Sequence, residues 1–166
     1  MSARVTRFAD RLSWELLSRR FILALAPFLP NIQAMSETLH ATGTFEVKMK
    51  PGASEVLTGT TPVGRMSIDK TFAGDLEGTS QVEMLTAVTP VKGSAGYVAL
   101  EQVAGKLKGR EGTFVLQHSG TAHKGAQQLT VTVVPESGTG QLTGIEGKFI
   151  IRMEAGKHFY DFDYTL

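Results

Sequence analysis

The stretch Lys148-Phe-Ile-Ile-Arg-Met-Glu-Ala-Gly-Lys-His-Phe-Tyr-Asp-Phe-Asp-Tyr164 decides the fold. It reads as two extended runs around Ala155-Gly156, a two-residue loop of the kind that closes a β-hairpin. A loop of that length pairs Met153 with His158, Ile151 with Tyr160 and Phe149 with Phe162, which puts the apolar side chains of both strands on one face. The same alternation appears near the start of the pattern. There Phe45, Val47 and Met49 interleave with Thr44, Glu46 and Lys48.

Read with a period of two, the chain yields eight strands: 41–49, 65–73, 81–88, 97–107, 113–120, 128–134, 148–154 and 158–164. Short turns between antiparallel strands favour an up-and-down arrangement. Closing such a sheet removes its exposed edges, so the expected fold is all-β, an eight-stranded antiparallel up-and-down barrel.

Gly-x-Leu-x-Gly occurs three times, at Gly74–Gly78, Gly105–Gly109 and Gly140–Gly144, and the first two copies lie 31 residues apart behind Ala73 and Ala104. Two strands and their turns account for such a period. Glycine at a strand end permits a positive φ or a bulge, and the leucine between is expected to plug the barrel end. Gly78 and Gly109 are therefore expected at positive φ in equivalent hairpins.

Composition narrows the classes. The chain has 166 residues, 42% of them hydrophobic, enough for one domain with a real core. It has no cysteine, which excludes disulfides, thiolate nucleophiles and cysteine-ligated metals. The overall charge of +1 conceals an asymmetry: residues 1–34 hold Arg4, Arg7, Arg11, Arg19 and Arg20 against Asp10 and Glu15, leaving a net of −2 for residues 35–166. That balance lacks the footprint of a nucleic-acid binder. No apolar run approaches the roughly 18 residues of a spanning helix, so no integral membrane segment is expected.

Residues 1–34 differ in kind from the rest of the chain, with Leu12-Ser-Trp-Glu-Leu-Leu17, Ser18-Arg19-Arg20 and an apolar run from Phe21 to Leu29. Three readings stand open: an export signal, an upstream extension with Met35 as the natural start, and an amphipathic helix docking on the barrel or a membrane. The division is thus an N-terminal extension, 1–34, helical or disordered, and a β-barrel domain, 35–166. The location is cytoplasmic, or exported if the extension acts as a signal.

Several segments together resemble a bacterial family known as a domain of unknown function. They are Gly93-Ser-Ala-Gly-Tyr97, Glu101, Gly109-Arg110-Glu-Gly112-Thr-Phe114, His118-Ser-Gly120, Val134-Pro-Glu-Ser-Gly-Thr-Gly140-Gln-Leu-Thr-Gly144 and His158-Phe-Tyr-Asp-Phe-Asp-Tyr164. The resemblance spans about residues 40–166. It implies an allene-oxide-cyclase-like barrel, distantly similar to plant dirigent proteins. Activity does not travel with a fold, and no catalytic residue is carried over.

The best chemical constellation is Glu101 with His118. A loop of two or four residues around Gly109-Arg110-Glu111-Gly112 puts both on one face, opposite or diagonal, beside Tyr97, Val103, Phe114 and Leu116. That apolar face points inward. A buried carboxylate beside an imidazole suits first a structural hydrogen bond, then ligand orientation, then proton transfer. By the 31-residue repeat, Lys70 stands where Glu101 stands and is its competing partner. Tyr97 and Phe114 would line a ligand, and Arg110, in a turn, could meet a ligand carboxylate from the rim.

His40, His123 and His158 lack metal spacing, so no metal and no cofactor is expected. Gly138-Thr-Gly140 with Gly144 imitates a dinucleotide loop without its helix, and Ser67, Ser94 and Ser119 stand in no nucleophile elbow. The expected function is binding of a small apolar or amphipathic molecule inside the barrel. The alternatives are an isomerase or cyclase using Glu101 and His118, and a non-catalytic protein that forms homo-oligomers around a filled interior.

Overall fold

The computed structural model describes residues 37–55 and 61–166. The readings of residues 1–34 lie outside them. Eight strands run in chain order: β1 Leu39–Glu55, β2 Val63–Gly74, β3 Leu76–Val88, β4 Ala95–Leu107, β5 Arg110–His123, β6 Ala126–Val133, β7 Glu146–Glu154 and β8 Lys157–Thr165. Each is antiparallel to the next, and β8 returns to β1, so the sheet closes into the expected eight-stranded up-and-down barrel. No helix among the described residues is long and apolar enough to cross a membrane.

Three hairpins turn on two residues that both have positive φ: Lys108-Gly109, Lys124-Gly125 and Ala155-Gly156. This is the primed turn whose twist matches that of the flanking strands. The last one gives the predicted register, with Met153 opposite His158, Ile151 opposite Tyr160 and Phe149 opposite Phe162.

The glycine repeat behaves differently in each copy. Gly74 and Gly109 have positive φ, but Gly78 does not. Gly78 sits inside β3 opposite Gly105 of β4, and a β-carbon on it would lie 2.2 Å from the Ala104 carbonyl oxygen. The first two copies are therefore strand partners, and Gly78 is small to let two backbones meet. The third copy is no hairpin. Gly140–Leu142 forms one turn of 3-10 helix in the β6–β7 connection.

That connection seals one end of the barrel. β6 is shorter than β5 and leaves the edge of Glu111–Val115 unpaired by strand. Glu111, Thr113 and Val115 instead donate their backbone N–H groups to the side chains of Gln141, Thr139 and Ser137 at 2.9, 3.1 and 3.0 Å. Leu142 and Ile145 then drop into the core beside Leu76 and Leu107, all fully buried. The leucine of every repeat copy thus closes the same end, as the spacing predicts. An aromatic stack of Phe72, Phe149, Tyr160, Phe162 and Tyr164 fills the space above it. Tyr160 is held by the Leu76 backbone N–H, which donates to its phenol oxygen at 2.7 Å.

The other end is not filled. The inward-facing register positions there carry Val47, Met49, Ile68, Met66, Met84, Tyr97, Leu129, Ile151 and Met153, and Met49 and Met153 are 57% and 66% exposed. The wall is also incomplete on this side: β6 and β7 are joined by a single residue pair, Thr132 with Lys148.

Candidate functional site

Between the closed and the open end, four successive strands each turn one polar side chain inward: Lys70 on β2, Ser80 on β3, Glu101 on β4 and His118 on β5. All four are buried, Glu101 completely. Lys70 Nζ donates to Glu101 Oε2 at 2.6 Å, His118 Nε2 lies 2.8 Å from the same oxygen, and Ser80 Oγ donates to Oε1 at 2.5 Å. The ammonium also sits 4.8 Å from the centre of the Phe45 ring, a favourable place for a cation.

Burial alone would raise the Glu101 pKa. The His118 hydrogen bond, the Lys70 charge and its hydrogen bond, and the Ser80 hydroxyl together outweigh that and hold it at about 2. Glu101 is thus a fixed internal anion whose oxygens are already engaged. Among the described residues, no buried polar side-chain atom lacks a partner.

The β4–β5 loop has two residues, so Glu101 and His118 share the inner face as parity requires. Glu101 is opposite Leu116 and His118 opposite Ala99, so the pair is diagonal. Lys70, named from the repeat, is bonded to Glu101. Tyr97, two residues before Ala99 on the open side, lies half-buried with its ring flat against Gly120, where a β-carbon would come within 2.2 Å of Cε1. Burial first, and then the Glu101 charge, raise its phenol pKa.

Two of the expected residues stand apart. Phe114 stacks on Phe162 at 5.7 Å between ring centres and belongs to the packed core. Arg110 is exposed at the start of β5, at the closed end, where Tyr164 feels its charge. It lies eight residues, roughly 26 Å of strand, from His118.

Sequence reasoning missed Ser80 and the methionines. Ser80 fell outside because alternation alone begins β3 at residue 81, whereas the strand starts at Leu76. On the true strand, Ser80 shares the inner face of Leu76 and Val82. Met49, Met66, Met84 and Met153 are all at inward positions near the open end, with Met66 directly opposite Met84. Parity alone would have found them.

A cavity of about 340 Å³ opens between β3, β4, β5 and β6, with Met84, Thr86, Tyr97, Gly120, Ala122 and Leu129 among its walls. A larger hollow of about 700 Å³ lies against β1 to β5. Most of its lining, including Glu46, Lys48, Asp69, Gln81, Gln102 and Thr113, faces outward by register, so it is a solvated saddle in the outer wall. Lys70 and Ser80 border that hollow, and His118 borders a third, of about 480 Å³, with Arg65, Glu83 and Met84; none of the four network residues lines the inward cavity.

A family model described as "Protein of unknown function (DUF3224)" matches residues 41–164. The chain belongs to the DUF3224 family. The crystal structure of a DUF3224 protein of unknown function from Shewanella oneidensis MR-1 is similar to it at 51% identity, with a TM-score of 0.74, covering 78% of this chain and 98% of that one. No protein of curated function matches. The resemblance read from the sequence therefore leads to a DUF3224 barrel whose family supplies a fold without a reaction.

Proposed function

We propose that this DUF3224 barrel binds a small, largely apolar molecule in its open end. The observation that carries this is the contrast between the two ends. One is packed with aromatics and leucines, while the other carries inward methionines, of which Met84, with Tyr97 and Leu129, lines a cavity of about 340 Å³. Methionine is flexible and polarizable, and suits a surface that must adapt to a ligand. A mostly apolar pocket with a few polar groups at its floor is the usual form of a small-molecule site.

The buried network favours binding over acid–base turnover. A carboxylate held near a pKa of 2, with Lys70, Ser80 and His118 on its oxygens, is a weak proton acceptor at neutral pH.

The test is a titration of the full chain, labelled on its methionine methyls, with 1-octanol. The methyl signal of Met84, which lines the cavity, should shift saturably. Ala122→Phe fills the cavity from its wall without touching the network. It should weaken the interaction at least 10-fold while leaving the melting temperature within a few degrees. Non-saturating shifts in the native chain, or equal affinity in the folded variant, would sink the reading.

A further inference from the structure

We infer that the outer face of β3 and β4 is where a second copy of this chain docks, as a two-fold dimer. The face lies on the outside of the wall and is independent of the cavity reading.

With Val82 and Glu101 turned inward, parity turns Leu85 of β3 and Val98 and Leu100 of β4 outward. They are 50%, 55% and 54% exposed, and they are neighbours: Leu85 is directly opposite Val98, and Leu100 follows on the same face of β4. Val63 of β2, opposite Ala87, extends the patch. The three central side chains stand around the hollow of about 480 Å³, with Arg65, Glu83 and Gln117 at its border. An outward position on a solvated antiparallel wall is ordinarily polar, so contiguous apolar residues there mark a surface that is covered.

The opposite side of the wall follows the ordinary rule. Outward positions of β7, β8, β1 and β2 carry Lys50, Asp69, Arg152 and Asp161, laced by ion pairs of 2.6 Å for Lys50–Asp69 and 2.8 Å for Arg152–Asp161. At the apolar face the charges are Arg65 and Glu83, bonded to each other at 3.2 Å, and the flanking β5 residues Gln117 and Ser119 are uncharged. An apolar centre depleted of charge, with a polar rim, is the composition of a protein interface.

Charge also identifies the occupant. The Arg65–Glu83 pair leaves the face without net charge, so it favours neither an acidic nor a basic partner, and two such faces do not repel. The chain as a whole carries only +1, and no long-range repulsion opposes self-association. The leucines and the hollow lie within one patch, so a two-fold axis can seat those of each copy in the hollow of the other, the self-complementarity that an isologous contact needs. Four strands at about 4.8 Å and about six residues at 3.3 Å give a face of roughly 19 by 20 Å. That is small for a permanent dimer and fits one that forms and parts in the micromolar range. Docked there, the second copy braces β3, β4 and β5, which carry Ser80, Glu101 and His118 inside, and leaves the β6–β7 seam uncovered.

The experiment follows the full chain, labelled on its leucine, valine and isoleucine methyls, through dilution from about 500 to about 10 µM, with sedimentation velocity for the stoichiometry. The methyls of Leu85, Val98 and Leu100 should shift along one monomer–dimer curve while those of Ile150 stay in place. Leu100→Lys puts a charge in the centre of the face opposite Glu83 and should weaken association about 10-fold or more, with the melting temperature kept within a few degrees. Ile150→Lys, equally exposed on β7 and opposite Asp161, should associate like the native chain. A chain that stays monomeric throughout, association whose shifts fall elsewhere, or a folded Leu100→Lys that dimerises as the native does would each overturn the proposal and leave the face to a different partner. Should Leu100→Lys not fold, the dilution shifts of the native chain decide alone.

Discussion

Lys70 Nζ and Glu101 Oε2 meet at 2.6 Å inside the barrel, and the two residues are 31 positions apart, the same interval that separates the first two glycine repeats. The repeat thus places a cation and an anion at corresponding points of β2 and β4, with β3 and Ser80 between them. Desolvating both charges is expensive, and each is tolerated because the other is present.

Removing one partner should therefore cost much more than removing both. Lys70→Met and Glu101→Gln are each expected to lower the unfolding free energy by about 3–5 kcal/mol, because each strands a buried charge or its hydrogen bonds. The double variant should recover most of that loss. Urea unfolding of the four proteins gives the coupling directly. Additive losses would mean that the two groups do not depend on each other.

Acid should find the same pair. Glu101 is held at about 2 in the folded chain against an ordinary 4.5, so its contribution is complete above about pH 4.5 and is lost as pH falls toward 2. The loss amounts to about 3 kcal/mol over that window. Denaturant midpoints measured between pH 5 and 2 should fall in the native protein and fall less in the Lys70→Met/Glu101→Gln double variant. Parallel curves would show that other carboxylates govern the acid limb.

The glycines separate two kinds of constraint. Gly109 has φ +82 with open space around it, so Gly109→Val should cost about 1–3 kcal/mol through backbone strain alone. Gly78 has ordinary φ, but a β-carbon there would press against the Ala104 carbonyl oxygen at 2.2 Å. Even Gly78→Ala must push β3 from β4, and should lower the melting temperature more than Gly109→Ala does. The reverse ranking would place the constraint in the turn and not in the strand pair.

Alternation was enough to read the architecture, because a strand with one face inside must repeat every two residues. It placed Phe149, Ile151 and Met153 against Phe162, Tyr160 and His158 in the correct register. It also put Glu101 and His118 on one inner face, since a two-residue turn preserves parity. What it did not supply was depth along the barrel. Arg110 and Tyr97 share an inward parity but lie at opposite ends, and only the strand pairing across the whole sheet separates them. Nor could local pattern reveal that the third glycine repeat is a 3-10 turn, because its conformation is set by the β5 edge it covers.

The single pair Thr132–Lys148 has a mechanical meaning. Every other seam is laced by at least seven residue pairs, so a deformation of the wall concentrates where β6 meets β7. The molecule is a ring by connectivity but a cuff by stiffness: a long, continuous band with one clasp. Spreading that clasp widens the methionine-lined end while the leucine-sealed end and the hairpins keep their bonds. The same chain can therefore hold a rigid internal charge cluster and, at the end away from its leucine seal, a wall that is free to widen.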